Sequence, residues 1–127
     1  MNETILIIED EKHICEVFRD KLEDNHYKVL TVGNGIEALK IVEEKMPDLI
    51  ILDMKLPDIT GTEILANIRQ YNTKVPVIVC TAVPPPKLET IYKRWANEII
   101  IKPVDLNLLT EKVKKLLVKT KINYTDY

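Results

Sequence analysis

The chain has 127 residues, a formal net charge of −2 and 46% hydrophobic residues, which fits one domain with a core of its own. Charges of both signs without a basic stripe argue against direct nucleic-acid binding. No apolar run reaches the ~18 residues of a membrane span and no secretory signal opens the chain, so we predict a cytoplasmic protein without membrane contact.

Two apolar strands separated by a helix open the chain. Residues 5–8 predict a buried strand that ends at Glu9 and Asp10, and residues 28–32 predict a second strand. The predicted helix between them has an apolar stripe at helical spacing, formed by Ile14, Val17, Phe18 and Leu22.

The second helix begins after a Gly-Asn-Gly turn. Asn34 followed by Glu37 is typical of a capped helix start, and we expect this helix to bury Ile36, Leu39 and Val42. The apolar residues 49–52 then predict a third strand, and Asp53 follows its last residue.

The second half repeats the alternation. A third helix is expected from the cap at Thr60 to about Tyr71, and a fourth strand over residues 77–80 ends at Thr81. The fifth strand, over residues 99–101, ends at Lys102. The last two helices are predicted from Leu88, Ile91, Tyr92 and Trp95, and from Leu106, Leu109, Val113, Leu116 and Leu117 after a cap at Asp105.

Strands this uniformly apolar need helices on both faces, which predicts a doubly wound α/β fold with a five-stranded parallel sheet. The flavodoxin-like strand order 2-1-3-4-5 would place the first strand beside the third and bring Glu9 and Asp10 next to Asp53. We expect the domain to cover residues 1–119 and residues 120–127 to form a flexible tail.

Each polar residue at a strand end has an ordinary structural explanation, such as a helix cap or a solvated charge. Three carboxylates in one crevice would nevertheless repel one another unless a divalent cation and an ammonium group balance them. An all-oxygen site with few protein ligands suits Mg²⁺, which shares its remaining positions with water and phosphate. The pattern therefore indicates a phosphoryl site.

From about residue 3 to residue 119 the chain resembles the receiver domain of bacterial two-component response regulators. Within that family, residues 52–57 look particularly similar to the single-domain phosphorelay intermediates of sporulating bacteria. The motifs that carry the resemblance are Ile7-Ile8-Glu9-Asp10, Asn34-Gly35-Ile36-Glu37-Ala38-Leu39, Pro47-Asp48-Leu49-Ile50-Ile51-Leu52-Asp53-Met54, Leu56-Pro57 with Gly61, Thr81-Ala82 and Lys102-Pro103.

The resemblance implies a role for each polar strand end. Asp53 would accept the phosphoryl group and contribute to the metal site. Asp10 would ligate Mg²⁺ directly, Glu9 mainly through water, and Lys55 through its main-chain carbonyl, with Mn²⁺ able to substitute. Thr81 and Lys102 would bind the phosphoryl oxygens, and the bond before Pro103 would be cis.

This resemblance implies a switch or phosphorelay intermediate that assists its own phosphorylation and dephosphorylation, not a turnover enzyme. The donor would be a histidine kinase or a histidine phosphotransfer protein. The alternative is a receiver-like interaction module that works without phosphorylation. An α/β phosphatase is less favoured, because Lys55 stands where such an enzyme needs a general acid; we expect Lys55 to modulate dephosphorylation instead.

Three features depart from the family pattern. Ile99 occupies a position that is usually aromatic or His, Trp95 one that is commonly Gly, and prolines 84–86 a loop that is normally polar. These changes fall around the predicted fourth helix and fifth strand, so we expect the output surface to differ while the acidic site is intact.

Overall fold

The computed structural model of the protein is a five-stranded parallel sheet in the order β2-β1-β3-β4-β5, with helices on both faces. It describes residues 2–56, 58–82, 90 and 93–125, with side chains as far as residue 120. The strands are β1 (Thr4–Ile8), β2 (Lys28–Val32), β3 (Leu49–Asp53), β4 (Val77–Thr81) and β5 (Glu98–Ile101). The predicted fold class and strand order are confirmed.

The helices with defined bounds are α1 (Lys12–Asp24), α2 (Gly35–Lys45), α3 (Gly61–Tyr71) and the C-terminal helix α4 (Leu106–Thr125). Three of them begin where the capping pattern predicts. The side chains of Asn34 and Thr60 accept hydrogen bonds from the backbone N–H groups of Glu37 and Glu63, and Asp105 accepts from the first turn of α4.

Alternate residues of the central strands point to two separate cores. Leu6, Ile8 and their neighbours on β3 and β4 face α2 and α3, while Ile5, Ile7 and their neighbours face α1 and α4. Every residue of β3 is buried. The sheet is therefore covered on both faces, and its polar groups are concentrated at the ends of the strands.

One expectation differs from the structure. Ile36 is 57% exposed, because α2 buries Gly35, Ala38 and Val42 on one stripe and Ile36 lies off it. Helix α4 continues to Thr125, so residues 120–125 of the expected tail are helical. The domain boundary at residue 119 and the flexibility of the tail stay predictions.

The predicted fourth helix lies mostly outside the described residues. Thr90 and residues 93–95 are helical, whereas prolines 84–86 and the predicted helix positions Leu88, Ile91 and Tyr92 fall in the ranges that are not described.

Gly61, the first residue of α3, allows the helix to approach the loop that follows Asp53. A Cβ atom there would lie 2.6 Å from Met54 Cα and 2.7 Å from Met54 Sδ. We expect Gly61→Ala to lower the free energy of unfolding by about 1–3 kcal/mol, because overpacking displaces backbone that cannot relax. Urea unfolding followed by circular dichroism would measure the change.

Gly33→Ala is the matched control, since its added Cβ would meet nothing closer than 3.8 Å and no glycine has a positive φ. Its stability should be unchanged or slightly higher, because alanine restricts the unfolded chain. A Gly61→Ala variant as stable as the control would contradict this account of the α3 contact.

Candidate functional site

Three carboxylates converge at the carboxyl edge of the sheet. One oxygen from each of Glu9, Asp10 and Asp53 lies within 4.8 Å of the other two. Glu9 is 4% and Asp53 is 5% exposed, whereas Asp10 is exposed. The structure thus brings together the acids that the sequence predicts to be neighbours.

The strand register explains this convergence. Ile8 pairs with Leu52, so the residues that follow, Glu9 and Asp53, leave adjacent strands side by side. The backbone N–H of Glu9 donates to the carbonyl of Val32 at 3.0 Å, which extends the β1–β2 ladder to the acid itself. Both buried carboxylates are therefore fixed by strand backbone.

Lys102 supplies the nearby positive charge. Its Nζ donates to Asp53 Oδ1 at 3.0 Å and lies 3.7 Å from Glu9 Oε1. The backbone N–H of Lys102 donates to the Thr81 carbonyl at 2.7 Å, and the Lys102–Pro103 peptide bond is cis, as the resemblance implied. Residues from both ends of the sequence thus meet in one ion-pair network.

The electrostatics of the pocket reflect burial and crowding. Burial, with added contributions from Asp53, raises the pKa of Glu9 from 4.5 to about 7. Burial alone would lower the pKa of Lys102, but its hydrogen bond to Asp53 and the charges of Asp53 and Glu9 outweigh that effect and raise it. One ammonium group therefore only partly balances the carboxylates.

The remaining predicted residues occupy different places. Lys55 is exposed, and its N–H lies 3.4 Å from Asp53 Oδ1. Thr81 is half-buried at the end of β4. The acidic pocket, a cavity of about 350 Å³, is lined by Glu9, Asp10, Glu11, Asp53, Lys55, Leu56 and Lys102. Among the described residues Thr81 is not part of that lining, although it is one residue beyond Cys80, which pairs with Asp53.

These residues fit a hard divalent cation. The donor set consists entirely of oxygen, two of its three carboxylates are buried, and Lys102 is the cation that contacts two of them in the described part of the chain. Mg²⁺ or Mn²⁺ prefers such ligands over nitrogen or sulfur. Glu9, Asp10 and Asp53 are the side chains that could hold the ion.

Asp58 was missed by the sequence interpretation. Its carboxylate accepts hydrogen bonds from the backbone N–H groups of Gly35 at 2.8 Å and Ile36 at 2.9 Å, and these bonds lower its pKa. The residues that it joins are more than twenty positions apart. In the sequence, the only local sign of this contact is an acidic residue in the loop after Asp53, and that sign does not identify Gly35 and Ile36 as its partners.

An apolar groove opens next to the acidic pocket. Its volume is about 580 Å³, and it is lined by side chains of α1 together with Lys102, Pro103, Val104 and Leu106. His13 belongs to this lining and is exposed on α1, and His26 is exposed beyond the end of that helix. Neither histidine lies at a strand end.

Comparison with known sequences decides the family. The family model described as the response regulator receiver domain matches residues 5–114. The chain belongs to this family. Its members act as phosphorylation switches in signalling and bind Mg²⁺ through acidic residues of the kind found here.

Relatives of this receiver domain include both short and long proteins. Sporulation initiation phosphotransferase F from Bacillus subtilis is 34% identical over 92% of this chain and 95% of its own length. The alkaline phosphatase synthesis transcriptional regulatory protein PhoP from the same organism is 32% identical over 96% of this chain, which spans about half of that relative (51%).

A solved structure shows the same fold. The response regulator TrrA from Thermotoga maritima, in complex with Mg²⁺-BeF, has a TM-score of 0.80 and 35% identity, over 90% of this chain and 98% of its own. In the part of this receiver domain that is described, no helix is both long and apolar enough to cross a membrane.

The raised pKa of Glu9 predicts a pH-dependent stability for the metal-free receiver domain. An acid whose folded pKa lies above its unfolded value destabilises the fold as pH rises from about 4.5 to about 7. Glu9→Gln removes this titration, so its stability relative to wild type should increase over that interval by on the order of 2 kcal/mol.

Thermal unfolding in EDTA at several pH values would test this expectation. Glu16→Gln removes an exposed acid from α1 and should keep the wild-type pH dependence. A constant difference between Glu9→Gln and wild type across the interval would contradict the assigned shift.

Proposed function

We propose that Asp53 accepts a phosphoryl group from a phosphohistidine in a Mg²⁺-dependent reaction, and that the domain acts as a switch or phosphorelay intermediate. The observation that carries this proposal is the contact of Lys102 Nζ with Asp53 Oδ1 at 3.0 Å, in a pocket shared with Glu9 and Asp10. The structure in which the Thermotoga relative holds Mg²⁺-BeF supports the same chemistry.

In the transfer step, an Asp53 carboxylate oxygen attacks phosphorus while the P–N bond of the donor breaks. The donor imidazole nitrogen keeps the electron pair of that bond and takes up a proton, and the product is an aspartyl phosphate. Lys102 and Thr81 would hold the phosphoryl oxygens, which carry negative charge throughout the transfer.

Glu9, Asp10, Asp53 and the main-chain carbonyl of Lys55 would hold the metal ion. When bound, Mg²⁺ supplies positive charge that offsets the phosphoryl oxygens and the crowded carboxylates. The protein's own contribution is to keep Asp53 and Lys102 in place on the ends of β3 and β5 before the donor arrives.

A protein donor fits the surroundings of the pocket. The apolar groove that includes Lys102 and Pro103 adjoins Asp53 through the Lys102 side chain. A histidine kinase or phosphotransfer protein that covers this groove would bring its phosphohistidine next to Asp53 and exclude water from the reaction. We place this encounter in the cytoplasm.

The alternative of an interaction module without phosphorylation is less consistent with the site. Such a module gains nothing from two buried carboxylates beside a third, because their repulsion and desolvation only destabilise the fold.

Hydrolysis of the aspartyl phosphate in the same pocket would reset the switch. The domain would therefore assist its own phosphorylation and its own dephosphorylation, and would not turn over another substrate as an ordinary enzyme does.

Asp53 should be the sole site of phosphorylation. Incubation of the wild type with acetyl phosphate and MgCl₂ should add one phosphoryl group, measured by intact mass, and Asp53→Ala should add none because the attacking carboxylate is absent. Asp20→Asn, which changes an exposed acid of α1, should label like the wild type. Labelling of Asp53→Ala would refute the assignment.

Lys55 should prolong the lifetime of the aspartyl phosphate. Its exposed side chain lines the pocket, where it can crowd an incoming water and pair with a phosphoryl oxygen. Lys55→Asn should therefore shorten the lifetime by about three- to tenfold, which corresponds to roughly 1 kcal/mol of barrier. The lifetime would be measured by stopping samples with acid at successive times and following the decrease of the phosphorylated species by intact mass.

Lys40→Asn removes an exposed lysine from α2 and serves as the control for charge. An unchanged or longer lifetime in Lys55→Asn would show that Lys55 does not protect the bond. Phosphorylation itself should remain possible in both variants.

A further inference from the structure

The loop between β3 and α3 is attached to the start of α2 by a polar contact. Asp58 Oδ1 and Oδ2 accept from the N–H groups of Gly35 and Ile36 at 2.8 and 2.9 Å, and Oδ1 also accepts from Ile59 at 2.9 Å. These N–H groups belong to the first turn of α2, which has no partner for them within the helix. Asp58 thus caps a helix to which it does not belong.

An apolar contact adds to this attachment. A Cβ atom on Gly35 would collide with the Ile59 side chain and lie 2.7 Å from Ile64 Cδ1. Ile59 therefore packs directly on the backbone of Gly35, next to the Asp58 hydrogen bonds. The loop cannot move away from α2 without losing both contacts.

The residues before this helix start lie close to the first acidic pair. The carbonyl of Val32 accepts from the N–H of Glu9 at 3.0 Å, and a Cβ on Gly33 would lie 3.8 Å from Asp10 Cα. Residues 32–36 therefore connect the backbone of Glu9, which bonds to Val32, with Asp58, which bonds to Gly35 and Ile36.

The loop itself carries part of the pocket. Lys55 and Leu56 line the acidic cavity, and the N–H of Lys55 lies 3.4 Å from Asp53 Oδ1. At its far end the loop closes where the Gly61 N–H donates to the Met54 carbonyl at 3.3 Å. The position of Lys55 relative to Glu9 and Asp10 thus depends on what holds this loop to the turn.

We propose that Asp58 is a positioning residue for the metal site. By joining the loop between β3 and α3 to the turn next to Glu9 and Asp10, it sets the distance between Lys55 and these two acids. The inference rests on the proposed function, since it takes the Lys55 carbonyl as one of the ligands. Groups that orient metal ligands commonly change affinity when removed, although they never touch the ion.

The effect on Mg²⁺ affinity would be measured by titrating isotope-labelled protein with MgCl₂ and monitoring the amide chemical shifts by NMR. Asp58→Ala should raise the Mg²⁺ dissociation constant by about three- to tenfold, near the lower end expected for outer contacts of metal ligands. Asp58→Asn, which keeps one acceptor oxygen, should show a smaller increase. The Mg²⁺-induced rise in melting temperature should shrink in the same order.

Asn34→Ala is the matched structural control. Asn34 Oδ1 accepts from the N–H of Glu37 at 2.9 Å, so it caps the same helix end through a hydrogen bond within its own helix. This variant should lose metal-free stability as the Asp58 variants do, yet it should bind Mg²⁺ like the wild type. If Asp58 had a purely structural role, Asp58→Ala and Asn34→Ala would have the same effect on Mg²⁺ binding.

The loss of an acidic charge is a separate effect that salt can remove. Asp58 is exposed, so its charge acts on the ion through solvent, and at about 1 M KCl the screening length is roughly 3 Å. The ratio of dissociation constants between Asp58→Ala and wild type should persist under that condition.

Three results would overturn the inference. Asp58→Ala could bind Mg²⁺ as tightly as the wild type, or Asn34→Ala could weaken Mg²⁺ binding as much as Asp58→Ala does. The third is that the dissociation constants of Asp58→Ala and wild type become equal at high salt. If Asp58→Ala fails to fold, Asp58→Asn against Asn34→Ala decides the question. Wild-type protein that does not bind Mg²⁺ would overturn the proposed function as well, and so differs from a failure confined to Asp58.

Discussion

Repulsion among Glu9, Asp10 and Asp53 is the constraint on which the rest of the structure depends. Their oxygens lie within 4.8 Å of one another, and two of the three side chains are buried. Such an arrangement costs folding free energy unless protons, an ammonium group or a cation compensates it. Within the chain, the compensation comes from Lys102 and from the raised pKa of Glu9, which lets that carboxyl carry a proton near neutral pH. The apolar strands and two cores make this cost tolerable by fixing the backbone on which the acids stand.

Much of the fold and the centre of the site could be predicted from the sequence because both depend on local patterns. Short apolar runs that end in a charged or hydroxyl residue define the strands and, in a parallel sheet, also the edge where their ends meet. The caps at Asn34, Thr60 and Asp105 follow rules that involve neighbouring residues only, and the structure has all three. Adjacency of Glu9 and Asp53 required the strand order as well, and the observed order supplies it.

The features that sequence reasoning missed depend on contacts between distant segments. Asp58 has the local pattern of an ordinary loop acid, and its contact with the start of α2 forms where Ile59 packs on Gly35. The burial of Ile36 was predicted wrongly because a helix in its first turn can meet the core with Gly35 and Ala38 instead. In both cases the deciding factor is how closely α2 and the β3–α3 loop approach, and a glycine permits that approach without a signal of its own in one sequence.

The same reasoning applies at the opposite edge of the sheet, where the chain departs from the family pattern. Arg69 of α3 donates to the carbonyls of Trp95 and Val75, both at 2.7 Å, and to Asn97 Oδ1 at 3.0 Å. Burial lowers the pKa of this guanidinium, but its hydrogen bonds to backbone oxygen replace much of the lost hydration. Trp95 and Ile99 also pack against the core that contains α2 and α3. The carboxyl end of the segment after Thr81 is therefore held to α3 by hydrogen bonds and packing. Ile99 has no ring whose rotation could report a change at Asp53, so this position cannot act as an aromatic switch.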